Sequence, residues 1–393
     1  MAQLNRTRRE FLQQSAAFAA FQGLLKPALG QERKTFAYVG TYTPNGEGIY
    51  LFEMNPRNGD LTLIKLAAKT SNPSWISLAP SGRYLYSVNE NGHGAVSAFS
   101  VNRANGDLQL INTVTSGGAG PAHLSVDPTG KYVFVANYGD GSIAVLPVSS
   151  TGGLGNPTYT RQDKDSVGPK KATDAPPGSF AIDGHLKPDA HMIHADPSNR
   201  FLLQTDLGQD RIYVFRFDQA TGKLTPLADE PFVSLPPGDG PRHFVFHSNG
   251  RWLYSVQEEA STVAFFHFDP QTGAVHHEQT LSTLPPGFKG TNFMSEILLS
   301  PDQQFLYVAN RLKNTVAIFS LNSEGRLRYL GETSTEGDYP RDIAFDPSGL
   351  FLYACNHRSD NITSFRVNKK TGMLSFTGQY TAVGSPACII FLS

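Results

Sequence analysis

The residues best equipped for chemistry in this 393-residue chain fall at two aligned positions of a repeated segment. Counted back from the Pro/Gly corner of each repeat, one position holds Ser74, Ala122, His191, Arg242, Ser295 and Arg341, followed by Trp75, His123, Met192, His243, Glu296 and Asp342. Counted forward, the other holds Tyr42, Glu90, Tyr138, Leu207, Glu258, Arg311 and His357. Arg242 and Glu258 are equidistant from Gly250, and Arg341 and His357 from Gly349, so an antiparallel hairpin is expected to set each pair side by side. A carboxylate, an imidazole and guanidinium groups at one level offer acid and base groups beside forked donors for a carboxylate, phosphate or oxyanion. Metal chemistry would draw on His123, His191, His194 and His243, but no short ligand spacing such as H-x-x-x-H supports it, and neither metal nor cofactor is expected. Cys355 and Cys388 are far from any C-x-x-C spacing and read as small buried residues. Asn89, Asn137, Asn310 and Asn356 read as strand-end residues bonded to backbone. His247, His267, His276 and His277 read as surface residues, and His194, three positions inside its strand, is expected to be buried between blades.

The elements that must hold these columns are strands. The composition, with 39% hydrophobic and 17% charged residues, 37 Gly, 26 Pro, 26 Phe and 15 Tyr, favours a turn-rich β fold over helices. Each repeat reads as an apolar run into a corner such as Pro128-Thr129-Gly130, an aromatic strand such as Tyr132-Val133-Phe134, a third strand, and a hairpin closing at Gly-x-Leu. Those hairpins number seven, from Gly59-Asp60-Leu61 to Gly372-Met373-Leu374. The chain opens on a second-type strand, Phe36-Ala37-Tyr38-Val39, and closes on a lone first-type strand, Pro386 to Phe391. The last strand therefore completes the first unit, which predicts an all-β, seven-bladed propeller with four antiparallel strands per blade and no long open edge. In that topology the chemical columns share a face with the blade-to-blade linkers 228–240 and 281–293 and with an insertion at 155–188 between blades three and four.

Residues Thr7 to Gln13 (TRREFLQ), the apolar stretch Ser15 to Phe21 and the small residues up to Gly30 read as a twin-arginine export signal, with the folded domain at 31–393. The precursor would engage the twin-arginine machinery, and the mature protein would be periplasmic or otherwise exported. No other apolar run reaches the roughly 20 residues of a membrane span. The formal charge of -1 offers no field for nucleic acid or anionic membrane.

Pro241-Arg242-His243-Phe244, Ala190-His191-Met192, Asp206 to Asp210 (DLGQD), Asn310-Arg311 and Pro340 to Gly349 (PRDIAFDPSG) together resemble the seven-bladed propeller lactonase family, which includes 6-phosphogluconolactonases and carboxymuconate-lactonizing enzymes. The resemblance implies an active-site set of His191, Arg242, Glu258 and Arg341. His243, Arg311, His357, His123 and Glu90 are read as substrate-binding residues around it. Asp189 stands where relatives often carry the first His of a His-x-His pair. The expected reaction is hydrolysis of a small-molecule sugar lactone: Glu258 as base, Arg242 and Arg341 on the oxyanion, His191 protonating the ring oxygen. Export favours an unphosphorylated glucono-1,5-lactone over its 6-phosphate. A lactonizing cycloisomerase and a non-catalytic binding platform are the rival readings.

Overall fold

The computed structural model describes residues 34–181 and 185–392; the segment read as an export signal, 1–30, lies outside them. Seven antiparallel four-stranded sheets follow one another around a ring. Blade one is made of Thr35–Thr41, Gly48–Met54 and Leu61–Lys69, with Pro386–Leu392 as its innermost strand. The closing register sets Phe36 against Leu392 and Val39 against Ile389. Inner strands of neighbouring blades lie against one another around the centre, so first strands such as Pro121–Val126, Ala190–Ala195, Pro241–Phe246, Met294–Leu299 and Pro340–Phe345 surround the channel. Among the described residues no helix is long and apolar enough to cross a membrane.

The alternating strands bury both faces because each blade is sandwiched between two others. Tyr132–Asn137, for example, is buried at every position, whereas the outer strand Asp107–Thr115 is half-exposed. The core is consequently divided among the seams: one apolar cluster joins blades five and six through Tyr254, Val256, Leu306 and Phe319, and another joins seven and one through Tyr353, Val39 and Phe52. A tyrosine at one aligned position of the second strand also crosses five seams to a carbonyl in the next blade's outer hairpin. Tyr38 donates to Gly106 O at 2.8 Å, Tyr86 to Gly152 O at 3.1 Å, Tyr254 to Gly325 O at 2.7 Å, Tyr307 to Gly372 O at 2.7 Å and Tyr353 to Gly59 O at 2.8 Å. The hairpin must be glycine there: Gly325 has φ 83°, and a Cβ would stand 2.7 Å from Trp252. Blades three and four place Phe134 and Leu203 at this position and have no such hydroxyl.

Blade three departs from the expected boundaries. After Gly153 the chain makes only an isolated bridge, Val148 with Leu154, before its outer strand forms at Tyr159–Gln162. The first part of the stretch 155–188 is therefore blade, and the excursion from the ring begins after Gln162. That strap returns through Ser179–Phe180, which pairs in parallel with Gly290–Thr291 of the linker between blades five and six. The linker 228–240 likewise contains a strand, Phe232–Ser234, added to blade four on Arg211–Asp218.

Candidate active site

A β-bulge sits at the site level of five first strands and aims its residues. The register jumps between Pro121 and His123, Ala190 and Met192, Pro241 and Phe244, Met294 and Ile297, and Pro340 and Asp342. The skipped residues include Ala122, His191, Arg242, His243, Ser295, Glu296 and Arg341. A bulge twists the strand and redirects its side chains, which is how a regular sheet can present consecutive residues to one site. The second column is fixed from the other side by backbone bonds at the hairpin mouth: Glu258 N to Gly240 O at 2.7 Å, Arg311 N to Phe293 O at 2.7 Å and His357 N to Tyr339 O at 3.0 Å.

Glu258 is the hub. Arg242 Nε lies 3.1 Å and Arg311 Nη2 2.5 Å from its Oε2, with side-chain exposures of 3% for Arg242, 5% for Arg311 and 14% for Glu258. Burial raises the Glu258 carboxyl, but the guanidiniums of Arg311 and Arg242 outweigh it and the net shift is downward. Arg311 Nη2 is engaged by Glu258, whereas Arg311 Nε and Arg242 Nε are buried with no aligned hydrogen-bond acceptor. Arg242 is further anchored by Nη1 donating to Ser295 O at 2.5 Å, and its backbone carbonyl accepts from Thr205 Oγ1 at 2.7 Å. Burial, aided by Arg311, lowers its guanidinium to about 10.

Arg341 differs from the hairpin expectation. Its Nη2 donates to Tyr42 OH at 2.5 Å, Tyr42 OH donates to Glu90 Oε2 at 2.5 Å, and Glu90 Oε2 lies 3.9 Å from Arg341. The partner thus comes from blade one across the ring closure. His357 instead packs edge-on to Tyr42, ring centroids 5.3 Å apart, and is lowered by burial and by Arg341.

His191 is buried, with Tyr138 at 5.5 Å and His243 at 5.0 Å between ring centroids and Nδ1 unpartnered. Burial first, then Arg242, holds it well below the ordinary imidazole value, so it is neutral at pH 7. His123 and His243 form a ring cluster with Trp75, His123 lying 4.7 Å from the indole and 5.4 Å from His243. Among the described residues no group of three or more His, Cys, Asp or Glu side chains is placed to hold a metal ion. Asp189 is ion-paired to Lys187 of the strap, whose ammonium also donates to Tyr138 O at 2.8 Å.

His194 is exposed rather than buried between blades, and lines a cavity of about 350 Å³ with the corner residues Pro128 and Pro197. The asparagine column bonds as its position suggests: Asn89 Nδ2 donates to Ser71 O at 2.8 Å and Asn310 Nδ2 to Thr283 O at 3.2 Å. Cys355 and Cys388 are buried and free. Sequence reasoning passed over Tyr42, Tyr138 and Glu296 although they stand in its columns. It had no signal for Phe293 and Tyr339, which lie in linkers and pack under the Arg311 guanidinium at 5.5 and 5.3 Å from their ring centroids.

Residues 36–391 match the family model for lactonases with a seven-bladed β-propeller. The 6-phosphogluconolactonase of Bacillus subtilis (strain 168) is 33% identical over 362 residues, covering 91% of this chain and 99% of that protein. The 6-phosphogluconolactonase of Formosa agariphila is 33% identical over 366 residues, with coverages of 90% and 98%. Among solved structures, the periplasmic gluconolactonase of Pseudomonas aeruginosa superposes with a TM-score of 0.82 at 32% identity, covering 92% of this chain and 99% of that one. With whole-ring coverage at this identity, the chain belongs to the seven-bladed β-propeller lactonase family.

Proposed function

We propose that the protein hydrolyses a sugar lactone to the aldonic acid at the Glu258 site. The observation that carries this reading is a carboxylate held on one oxygen by two guanidiniums that still have buried, unaccepted N–H groups. Those donors suit an oxygen that gains negative charge, as a lactone carbonyl does when water adds to it. Both ion pairs fall on Glu258 Oε2, which leaves Oε1 to take a proton from the attacking water. Collapse of the tetrahedral adduct breaks the bond from carbonyl carbon to ring oxygen, and the proton taken by Glu258 must reach that oxygen. Neutral His191 can accept it at one nitrogen while giving one from the other, so no free imidazolium is required.

Charge bears on the substrate. Arg242, Arg311 and Arg341 face Glu258 and Glu90, leaving at most one net positive charge once Glu296 is counted, and Lys187 is engaged by Asp189. One charge matches the oxyanion of an uncharged lactone, whereas a phosphate dianion would call for further cations. The relatives named 6-phosphogluconolactonase favour the phosphorylated substrate. The name of the periplasmic gluconolactonase and the Arg8-Arg9 segment of this chain favour the unphosphorylated one, and export by the twin-arginine route is part of this proposal. Proton release on glucono-1,5-lactone and on its 6-phosphate, corrected for spontaneous opening, tests both points. Catalysis with the unphosphorylated lactone preferred is the expected result; no rate above background on either removes the reading.

A further inference from the structure

Beneath Arg242 lies an ionisable pair that the mechanism above does not use. His243, the second residue of the blade-five bulge, places Nδ1 2.7 Å from Oε2 of Glu296, the second residue of the blade-six bulge. The other carboxylate oxygen, Oε1, accepts from Ile297 N at 3.0 Å. Arg242 Nη1 lies 3.2 Å from Nδ1 and 3.4 Å from Nε2 of the same ring. A neighbouring seam is stitched by a neutral donor on a carbonyl, Ser295 Oγ to Pro340 O at 2.7 Å. The seam under Arg242 is bridged by a titratable imidazole–carboxylate pair, where a hydroxyl would have sufficed structurally.

We propose that Glu296 is a positioning residue for Arg242, acting through the charge it places behind the His243 ring. With Glu296 ionised, the single ring proton of His243 sits on Nδ1, and Arg242 Nη1, close to both ring nitrogens, lies beside a ring backed by a carboxylate charge. With Glu296 protonated, its O–H donates to Nδ1 and the ring proton moves to Nε2. Arg242 then loses a nearby negative charge. The groups packed around this pair are Arg242, Arg311, Arg341 and Glu258 above it, His123 and His191 beside it, and Asp342 from blade seven. Burial pushes Glu296 up to about 7 against the opposing pull of Arg242, while burial and then Glu296 push Asp342 well above the carboxylate range. Burial thus holds a proton on this carboxyl pair toward neutral pH, and Glu296 is the member hydrogen-bonded to His243.

The inference rests on the lactonase reading, and its test separates the two. The kcat and KM of proton release, followed from about pH 5.5 to 8, are compared for the wild type, Glu296→Gln and Glu296→Asp on whichever lactone is opened. The wild type is expected to lose kcat toward acid with a midpoint near the Glu296 value. Glu296→Gln should lose that limb and fall about tenfold in kcat with KM little changed, and Glu296→Asp should restore part of the limb. A Glu296→Gln enzyme with the wild-type limb and rate overturns the proposal. If the wild type opens no lactone, the functional reading fails, and ¹⁵N spectra of histidine-labelled wild type still decide this one. A His243 proton on Nδ1 at alkaline pH that moves to Nε2 toward acid supports it; one tautomer throughout overturns it.

Discussion

At the scale of single residues, Glu258 joins two functions that a variant can separate. Glu258→Gln keeps the shape but removes the charge, so turnover is expected to fall by about 10²-fold or more, the usual contribution of a positioned base. It also leaves Arg242 and Arg311 buried without a counter-charge, so the variant should unfold at a lower temperature, by about 3 kcal/mol of lost stability, the lower range for breaking a buried pair. Because the folded carboxyl titrates below its unfolded value of about 4.3, its stabilising contribution is present at neutral pH and is lost as pH falls through the folded value. Thermal unfolding of both proteins at pH 7 and near pH 3 checks this: the difference should shrink in acid. Asp206 carries the opposite sign. Burial raises it to about 8, although its Oδ1 accepts from Asp189 N and Gln209 N at 3.0 Å each, and its Oδ2 is buried without a partner. The folded state holds a proton that the unfolded chain releases near pH 4, so stability falls as pH rises from about 4 to 8. Asp206→Asn should flatten that slope, and melting curves at pH 5 and 8 that stay parallel to the wild type would exclude Asp206 as its source.

At the scale of elements, what was legible and what was not divides at the blade boundary. The pairing of Arg242 with Glu258 could be counted from Gly250 because both belong to one hairpin. Arg311 on Glu258 and Tyr42 on Arg341 could not, since those contacts pass between blades and no count along one hairpin measures that distance. The bulges are hidden for a related reason: each skips one or two residues in a strand whose apolar alternation continues on either side. The strap shows a second limit, because its composition marks it as irregular but not where it lands. It lands beside the site: Lys187 holds Tyr138, whose ring meets His191, and Ser179–Phe180 pairs with the linker that ends at Phe293 under Arg311. Replacing residues 166–180 by a short Gly/Ser link is therefore expected to raise KM several-fold while the melting temperature of the ring changes little, since the strap adds nothing to the seven apolar seams. Unchanged KM and kcat would make the strap an ornament. The tyrosine latch makes a smaller claim. Tyr307→Phe strands Gly372 O and should cost about 1 kcal/mol in denaturant unfolding, the worth of one buried hydrogen bond.

At the scale of the molecule, the site exists only while the ring is closed. Arg341 of blade seven finds Tyr42 and Glu90 in blades one and two, so the last contact of the site crosses the place where the two ends of the domain meet. Closure depends on one strand. Pro386–Leu392 places Ile389 in the seam between blades seven and one and Cys388 and Leu392 in the seam between one and two, while Ile389 N donates to Asp342 Oδ2 at 2.8 Å. Each fully buried aliphatic side chain stabilises by about 1.5–3 kcal/mol, and a whole domain is stable by only about 5–15 kcal/mol. Removing residues 386–393 would also bare the backbone edge of Thr35–Thr41, which pairs with this strand along its length. The truncated chain is expected to lose its single cooperative unfolding transition and to associate through that edge, as read by circular dichroism and size-exclusion chromatography. A synthetic peptide of residues 386–393 should restore the elution volume of the full-length protein, because the groove it fills has the register and apolar pockets of one strand and no other. A truncated chain with the full-length elution volume and melting curve would mean that six complete blades and a three-stranded blade one hold the ring without the closing strand.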